Sequence, residues 1–439
     1  MKTIDKIPST KIGRAASVLK TGLKVGTNYV AYYGEKIIDK DLTREKLDKK
    51  NAKDIYNGLS EMKGSALKVA QMLSMEKNII PQAYAQEFSQ AQYSVPPLSP
   101  PLVKKTFKKH LGKQPTEIFD FFDLESIRAA SMGQVHKATL NDQELAVKIQ
   151  YPGVAESISS DLALVKPFAI KMFNLKGEGS EKFFQEVESK LLEETDYKLE
   201  LRRSIEISTA CKKLPHLVFP KYFKKLSSDK ILTMTWIHGK QISEFYEINK
   251  DQGLANTLGQ SLWDLYMFQM HELKMVQADP HPGNFLITEK NQLGVIDFGC
   301  IKELPQDFYD PYFALTEKKV LDNPKLFESN LYDLEVIKKT DKGAELKFFK
   351  NMFHEMLSLF ATPFEHDTFD FSSKDFLNKL GELGTKYGND SELRKYNGNR
   401  GSKHLLYVNR TFFGLYNLLH ELKCTISINN YKKYLSTPK

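Results

Sequence analysis

The chain has 439 residues, a formal charge of +8, 41% hydrophobic and 27% charged residues. That length exceeds one compact core and suggests two or three packed units, and the balance excludes an intrinsically disordered chain. The basic excess, mostly lysine, suits anionic partners such as nucleotides or acidic lipid headgroups without choosing among them, while the scattered Cys211, Cys300 and Cys424 show no zinc spacing and point to a reducing interior.

The start, Met1 to Arg14, is polar and charged. Ala15–Tyr33 follows, with Val18, Leu19, Leu23, Val25, Val30 and Tyr33 as its apolar members. Lys20 and Lys24 interrupt it, so it is no signal-peptide core. It is read as packing against the rest of the protein, with an interfacial membrane helix as the alternative. No apolar run approaches the ~20 residues that a membrane span needs. A cytoplasmic location is expected.

Residues 1–95 read as helices, Asn57–Glu76 most clearly. The Pro-rich stretch Val95–Pro101 is a boundary or stiff linker, and 102–113 is a short basic amphipathic helix with a solvated lysine face. Strand character begins near Phe119. Gln134–Ala138 and Leu145–Gln150 form a hairpin around Asn141-Asp142, and Tyr151-Pro152-Gly153 ends it. Residues 181–210 read as one long helix with Phe184, Val187 and Leu191 on a stripe. Val218–Phe223 and Lys230–Trp236 read as two further strands, and from Gly253 the chain is largely helical. This α+β ordering, a small β-rich unit and then a larger helical one, is that of a two-lobed kinase fold.

The strongest chemical signal is Gln277-Ala278-Asp279-Pro280-His281-Pro282-Gly283-Asn284, then Gly294-Val295-Ile296-Asp297-Phe298-Gly299. An Asp, an Asn five residues on and an Asp-Phe-Gly thirteen further match the spacing of a kinase catalytic loop and metal loop. Phosphoryl transfer needs a divalent metal held by hard oxygens. Asp297 offers a carboxylate and Asn284 a carbonyl oxygen. Asp279 stands where such a loop orients an attacking hydroxyl or water. Either motif alone is also ordinary turn chemistry; both at this spacing are not.

Upstream, Leu145-Ala146-Val147-Lys148 resembles the strand carrying a nucleotide-binding lysine, with Lys148 on the α/β-phosphates. An acidic helix follows, containing Glu193, Glu194, Asp196 and Glu200, and the residues alone do not say which acid pairs with the lysine. No glycine-rich phosphate loop is present. Its place holds Arg128-Ala129-Ala130-Ser131-Met132-Gly133-Gln134, whose backbone N–H groups are candidates for cradling phosphate. Met234 and Thr235 begin a candidate adenine-binding hinge; a buried strand end is the alternative.

Together these features resemble the UbiB/AarF atypical kinase family, which includes the mitochondrial ADCK proteins. Lys68-Val69-Ala70-Gln71 lies where that family has Lys-x-Gly-Gln; Glu194-Thr195-Asp196 matches its Glu-x-Asp; Ile12-Gly13-Arg14 and Tyr407-Val408-Asn409-Arg410 fall within the likeness. Ala70 in place of the motif glycine and Arg128 in a slot often held by alanine are departures. The resemblance implies Glu200 as the partner of Lys148. It implies an N-terminal extension (1–115) folded over the active site, with Lys68, Gln71, Glu194 and Asp196 gating it, then an N-lobe (116–238) and a helical C-lobe (239–439). It also implies ATP and Mg²⁺ as cofactors, with ATP hydrolysis or transfer to a small or lipid-like acceptor. A supporting role in isoprenoid quinone biosynthesis and a place peripheral to the inner membrane follow from it, with quinone-biosynthesis proteins, a lipid or quinone precursor and a membrane surface as partners and no nucleic acid. The alternatives are a small-molecule phosphotransferase of the aminoglycoside or choline kinase type, against which the Lys68/Gln71 extension speaks, and a non-catalytic nucleotide-dependent scaffold.

Overall fold

The computed structural model describes residues 11–39, 44–62, 87, 97–129, 132–173, 178–248, 251–388, 390, 392–393, 396 and 400–435. The chain divides into two compact units, one of residues 1–201 and 222–236, the other of 202–221 and 237–439.

The first unit opens with α1 (Lys11–Ile38) and α2 (Arg44–Met62). Their pairing is fixed by a polar clamp. Buried Asn28 donates from Nδ2 to Asn51 Oδ1 at 3.0 Å and to Asp54 Oδ2 at 2.8 Å. Inside a core such groups must be satisfied, so the clamp sets the register of the two helices. The next helix, α3 (Pro100–Leu111), begins on a proline, which costs nothing at a helix start, and ends on Gly112 at φ 75°. The connection before it is pinned to the sheet, because Leu98 N donates to Gln134 Oε1 at 2.7 Å.

The sheet comprises β1 (Phe121–Phe122), β2 (Arg128–Ala129), β3 (Gly133–Leu140), β4 (Gln143–Gln150) and, beyond the two-residue β5 (Leu217–Val218) of the second unit, β6 (Ile231–Thr235). Strands run in the order β1-β3-β4-β6, with β2 also on β3, all antiparallel. Asn141 and Asp142 close β3–β4 with φ of 50° and 59°. Two positive values make the tight turn whose twist suits a two-residue hairpin, and Asn and Asp tolerate them. Three helices accompany the sheet: α4 (Val154–Phe173), α5 (Glu178–Glu194) and α6 (Tyr197–Cys211), the unit boundary falling inside α6. The stripe Phe184, Val187 and Leu191 is buried in one core with Val147 and Ile149 of β4, Phe107 of α3 and Ile55 of α2.

Two sequence expectations are corrected here. The single helix over 181–210 is two helices, because Thr195 and Asp196 interrupt it. Thr195 Oγ1 turns back to Leu192 O at 2.8 Å, and Asp196 Oδ1 accepts from Lys198 N and Leu199 N, capping α6. The strand expected over Val218–Phe223 is only Leu217–Val218, and it runs parallel to Leu293–Gly294 in the second unit. Beyond Pro220 the chain returns to the first unit, where Tyr222 bridges Met234.

The second unit is built on β7 (Lys240–Gln241), α7 (Ile242–Ile248) and α8 (Gln252–His271). From Ser261 to His271 every residue of α8 is buried. The strands β8 (Met275–Gln277), β9 (Phe285–Ile287), β10 (Leu293–Val295) and β11 (Ile301–Glu303) follow. They form a four-stranded sheet ordered β5-β10-β9-β7 and a β8–β11 pair. Helices α9 (Gln306–Ala314), α10 (Lys318–Leu321), α11 (Pro324–Asp333), α12 (Gly343–Ala361), α13 (Lys374–Gly388) and α14 (Lys403–Glu421) complete the unit, with β12 (Thr368–Asp370) and β13 (Thr425–Ser427) paired.

His271 ends α8 inside this core. Its Nδ1 is 2.6 Å from Tyr309 Oη, and its ring packs on Phe313 and Tyr431. Burial, assisted by the Lys274 charge, lowers its pKa from 6.5 to about 3. The native state therefore refuses a proton that the unfolded chain accepts below 6.5. Stability is full above that pH and falls as pH drops towards 3, by up to about 1.4 kcal/mol per unit. Urea midpoints at pH 7 and pH 5 should drop for the wild type and less for His271→Phe, whatever the variant's stability at pH 7. Equal slopes would show that His271 is not the acid-sensitive group.

Candidate active site

In the second unit, strand pairing brings two loops together. β8 leads into the Asp279 loop, and β11, antiparallel to it with Gln277 opposite Ile301, leads out of the Asp297 loop. The β9–β10 hairpin joins the far sides, with Phe285 opposite Val295. Backbone bonds lock the arrangement: Ala278 N to Cys300 O at 2.8 Å and Ile296 N to Asn284 O at 3.1 Å.

Gln277 ties the loops by its side chain. Buried at 2% exposure, it accepts from Tyr266 Oη on Oε1 at 2.5 Å and donates from Nε2 to Asp297 O at 3.2 Å. Its own N–H goes to Gln269 Oε1 at 2.8 Å. Burial raises Tyr266 well above the usual phenol range, Asp279 and Cys300 add to this, and Arg410 opposes it, so the phenol stays protonated and donating.

Within the Asp279 loop, Pro282–Asn284 is a single 3₁₀ turn. His281 Nδ1 accepts from Gly283 N at 3.0 Å, which leaves the ring proton on Nε2. Asn284 Nδ2 donates to Asp279 O at 2.9 Å, so its carbonyl oxygen points the other way. Asp297 Oδ1 accepts from Gly299 N at 2.7 Å, and Phe298 is buried. A carboxylate and an amide oxygen on two interlocked loops are the hard-oxygen set that suits Mg²⁺, which takes one or two protein carboxylates and completes its shell with phosphates and water. These residues fit the metal.

The Asp279 carboxylate is also engaged. Arg410 Nη2, on α14, donates to its Oδ1 at 2.6 Å. Four residues on, Gly414 stands so close to the loop that a Cβ there would lie 2.2 Å from Pro280 Cγ.

In the first unit, Lys148 Nζ donates to Glu200 Oε1 at 2.7 Å and lies 5.1 Å from the Tyr197 ring centroid. Glu200 is 4% exposed and Lys148 19%. Of the other acids nearby, Glu193 pairs with Lys190, Glu194 ends α5 and Asp196 caps α6. Ala129 lies in β2 opposite Gln134, while Ala130 and Ser131 fall outside the described residues. Gly133 has no room for a side chain: a Cβ would sit 2.6 Å from Ile149 O and 2.7 Å from Tyr197 Oη. Met234, buried, pairs with Ala146, and Thr235 with Leu145. Lys68 and Gln71 lie outside the described residues.

Residues 90–328 match the family model described as the ABC1 atypical kinase-like domain. The chain belongs to that family. This family member is 28% identical over 391 residues to the atypical kinase COQ8, mitochondrial, of Saccharomyces cerevisiae, covering 87% of this chain and 77% of the relative. It is 27% identical over 394 residues to the atypical kinase COQ8B, mitochondrial, of Danio rerio, covering 86% and 62%. A probable serine/threonine-protein kinase of Dictyostelium discoideum, abkA, is 27% identical over 409 residues, covering 86% and 72%. Among solved structures, the Mycobacterium tuberculosis protein Rv3197, in complex with erythromycin, matches with a TM-score of 0.58 at 24% identity, over 89% of this chain and 96% of that one, a likeness of fold. The α+β, kinase-like fold is thus common to this chain and its family. Among the described residues, no helix is long and apolar enough to cross a membrane.

Arg410, Gly414, Gln277 and Tyr266 are the site's supports that residue-by-residue reading leaves unassigned. Arg410 stands 131 residues from Asp279, and no local spacing links the two.

Proposed function

We propose that this chain is an ATP-dependent atypical kinase or ATPase that binds Mg-ATP and supports isoprenoid quinone biosynthesis. The observation that carries the reading is the orientation of Asn284. Its nitrogen donates to the Asp279 carbonyl, so its oxygen is the atom offered as a ligand, with the Asp297 carboxylate of the neighbouring loop as the second. Asn284 and Asp297 would hold Mg²⁺, which would supply positive charge against that of the phosphates. Lys148, held by Glu200, supplies a cation for the α/β-phosphates, and backbone N–H groups of residues 129–133, Ser131 among them, cradle phosphate. Met234 and Thr235 border the adenine, and Asp279 orients the attacking oxygen. Lys68, Gln71, Glu194 and Asp196 restrict access, which favours water or a small lipid-like acceptor over a protein. The quinone role rests on likeness to the COQ8 relatives, and it brings quinone-biosynthesis proteins, a quinone precursor and the inner-membrane surface as partners.

Purified chain should hydrolyse ATP in a Mg²⁺-dependent way, and Asp297→Asn should lower kcat by at least about 100-fold, on the scale of losing a charge-stabilising group. Turnover that is absent in the wild type, or unchanged in the variant, would remove the enzymatic claim. A quinone-deficient strain rescued by the wild type and not by Asp279→Ala would support the biosynthetic role; rescue by both would favour the scaffold reading.

A further inference from the structure

Arg410 invites a role beyond stability. The backbone of the Asp279 loop is already fixed without it: His281 N to Asp279 O at 2.7 Å, Asn284 N to His281 O at 2.9 Å and Ala278 N to Cys300 O at 2.8 Å. What Arg410 adds to the loop is a hydrogen bond to the side chain of Asp279, at its Oδ1. The pair is sheltered, with side chains 17% and 23% exposed, so solvent and salt weaken it little. Its placement is also stiff. Arg410 and Gly414 are one turn apart on one face of α14, and the missing Cβ of Gly414 lets that face rest against Pro280. The preceding residue, Asn409, is held by Tyr312 Oη, which donates to Asn409 Oδ1 at 2.8 Å.

We propose that Arg410 is a positioning residue for Asp279: its guanidinium grips one carboxylate oxygen and so sets the plane in which the carboxylate meets the attacking oxygen. A guanidinium suits this task because it is planar, permanently charged and directional, whereas an ammonium is a rotating point charge. The inference rests on the Mg-ATP reading above.

The test is a double-mutant cycle on steady-state Mg-ATP turnover by the full chain, with Arg410→Gln, Arg410→Lys, Asp279→Asn and the doubles. Arg410→Gln should lower kcat about 10-fold or more and leave the KM for ATP within about 2-fold, because a residue that acts through Asp279 changes the chemical step and not nucleotide binding. Arg410→Lys should recover part of the loss. In the Asp279→Asn background the same substitutions should cost less than about 2-fold, because the group being positioned is already gone. A raised KM with unchanged kcat would overturn the proposal, as would equal losses in both backgrounds, which mark a merely structural effect. If Arg410→Gln fails to fold, Arg410→Lys carries the cycle with the same criteria. A wild type without turnover sinks the Mg-ATP reading and this inference with it, whereas an active wild type indifferent to Arg410 sinks the inference alone.

Discussion

Lys148→Met should cost the first unit about 3 kcal/mol and abolish nucleotide turnover. Glu200 is 4% exposed, and Lys148 Nζ at 2.7 Å is the cation that compensates it. Removing one partner of a buried ion pair leaves the other's charge poorly compensated, at a typical cost of about 3–5 kcal/mol. The lower end applies because Lys148 keeps 19% exposure and some water will replace it. Lys148→Met with Glu200→Gln should regain a good part of that stability, since no bare charge then remains. Turnover should stay lost in the double variant, because the cation proposed for the phosphates is missing in both. Urea unfolding of wild type, single and double variants checks this. A single variant as stable as the wild type would show that Glu200 does not depend on Lys148.

The second large effect is expected at Gly414. In Gly414→Ala the new methyl would lie 2.2 Å from Pro280 Cγ, 3.0 Å from its Cβ and 3.1 Å from its carbonyl oxygen. A proline ring cannot swing aside, so α14 or the loop must move. Overpacking of this kind costs about 1–3 kcal/mol. Gly381 in α13 is the matched control: it is exposed and a Cβ there meets nothing within 4 Å. Gly381→Ala should be neutral or gain about 0.5–1 kcal/mol from helix propensity. Gly414→Ala should also lose turnover beyond its loss of stability, because the loop it displaces carries Asp279. Thermal melts with turnover measured well below the midpoint separate the two effects. Equal behaviour of the two alanine variants would contradict the packing argument.

What the sequence yields and withholds follows the range of the interactions. The β3–β4 hairpin is legible because Asn141 and Asp142 encode their own turn. The Asp279, Asn284 and Asp297 spacing is legible because strand pairing acts within about twenty residues. The break at Thr195–Asp196 is not, because the apolar stripe runs up to it and only side-chain capping bonds end α5 and start α6. The lysine-pairing acid is ambiguous among four candidates until folding decides which of them is buried. Glu200 is, while Asp196 faces solvent and Glu193 has its own lysine. Arg410 and Gly414 act on the loop from a helix far along the chain, which no local pattern encodes.

Gln277 shows how narrow the chemical tolerance of such a support can be. Its amide is read at both ends, a phenol hydrogen entering the oxygen and the Asp297 carbonyl taking a hydrogen from the nitrogen. Exchange that nitrogen for oxygen, as Gln277→Glu does, and a carboxyl group sits 2% exposed beside the Asp297 carbonyl, where it must either hold a proton to keep the bond or bury a charge. Size and shape would scarcely change, yet the side-chain tie would become dependent on pH, kept by the protonated carboxyl and repulsive in the ionised one. The β8–β11 pairing and the Ala278–Cys300 backbone bond would still join the Asp279 and Asp297 loops, so a one-atom exchange at Gln277 isolates what the side-chain tie adds to them.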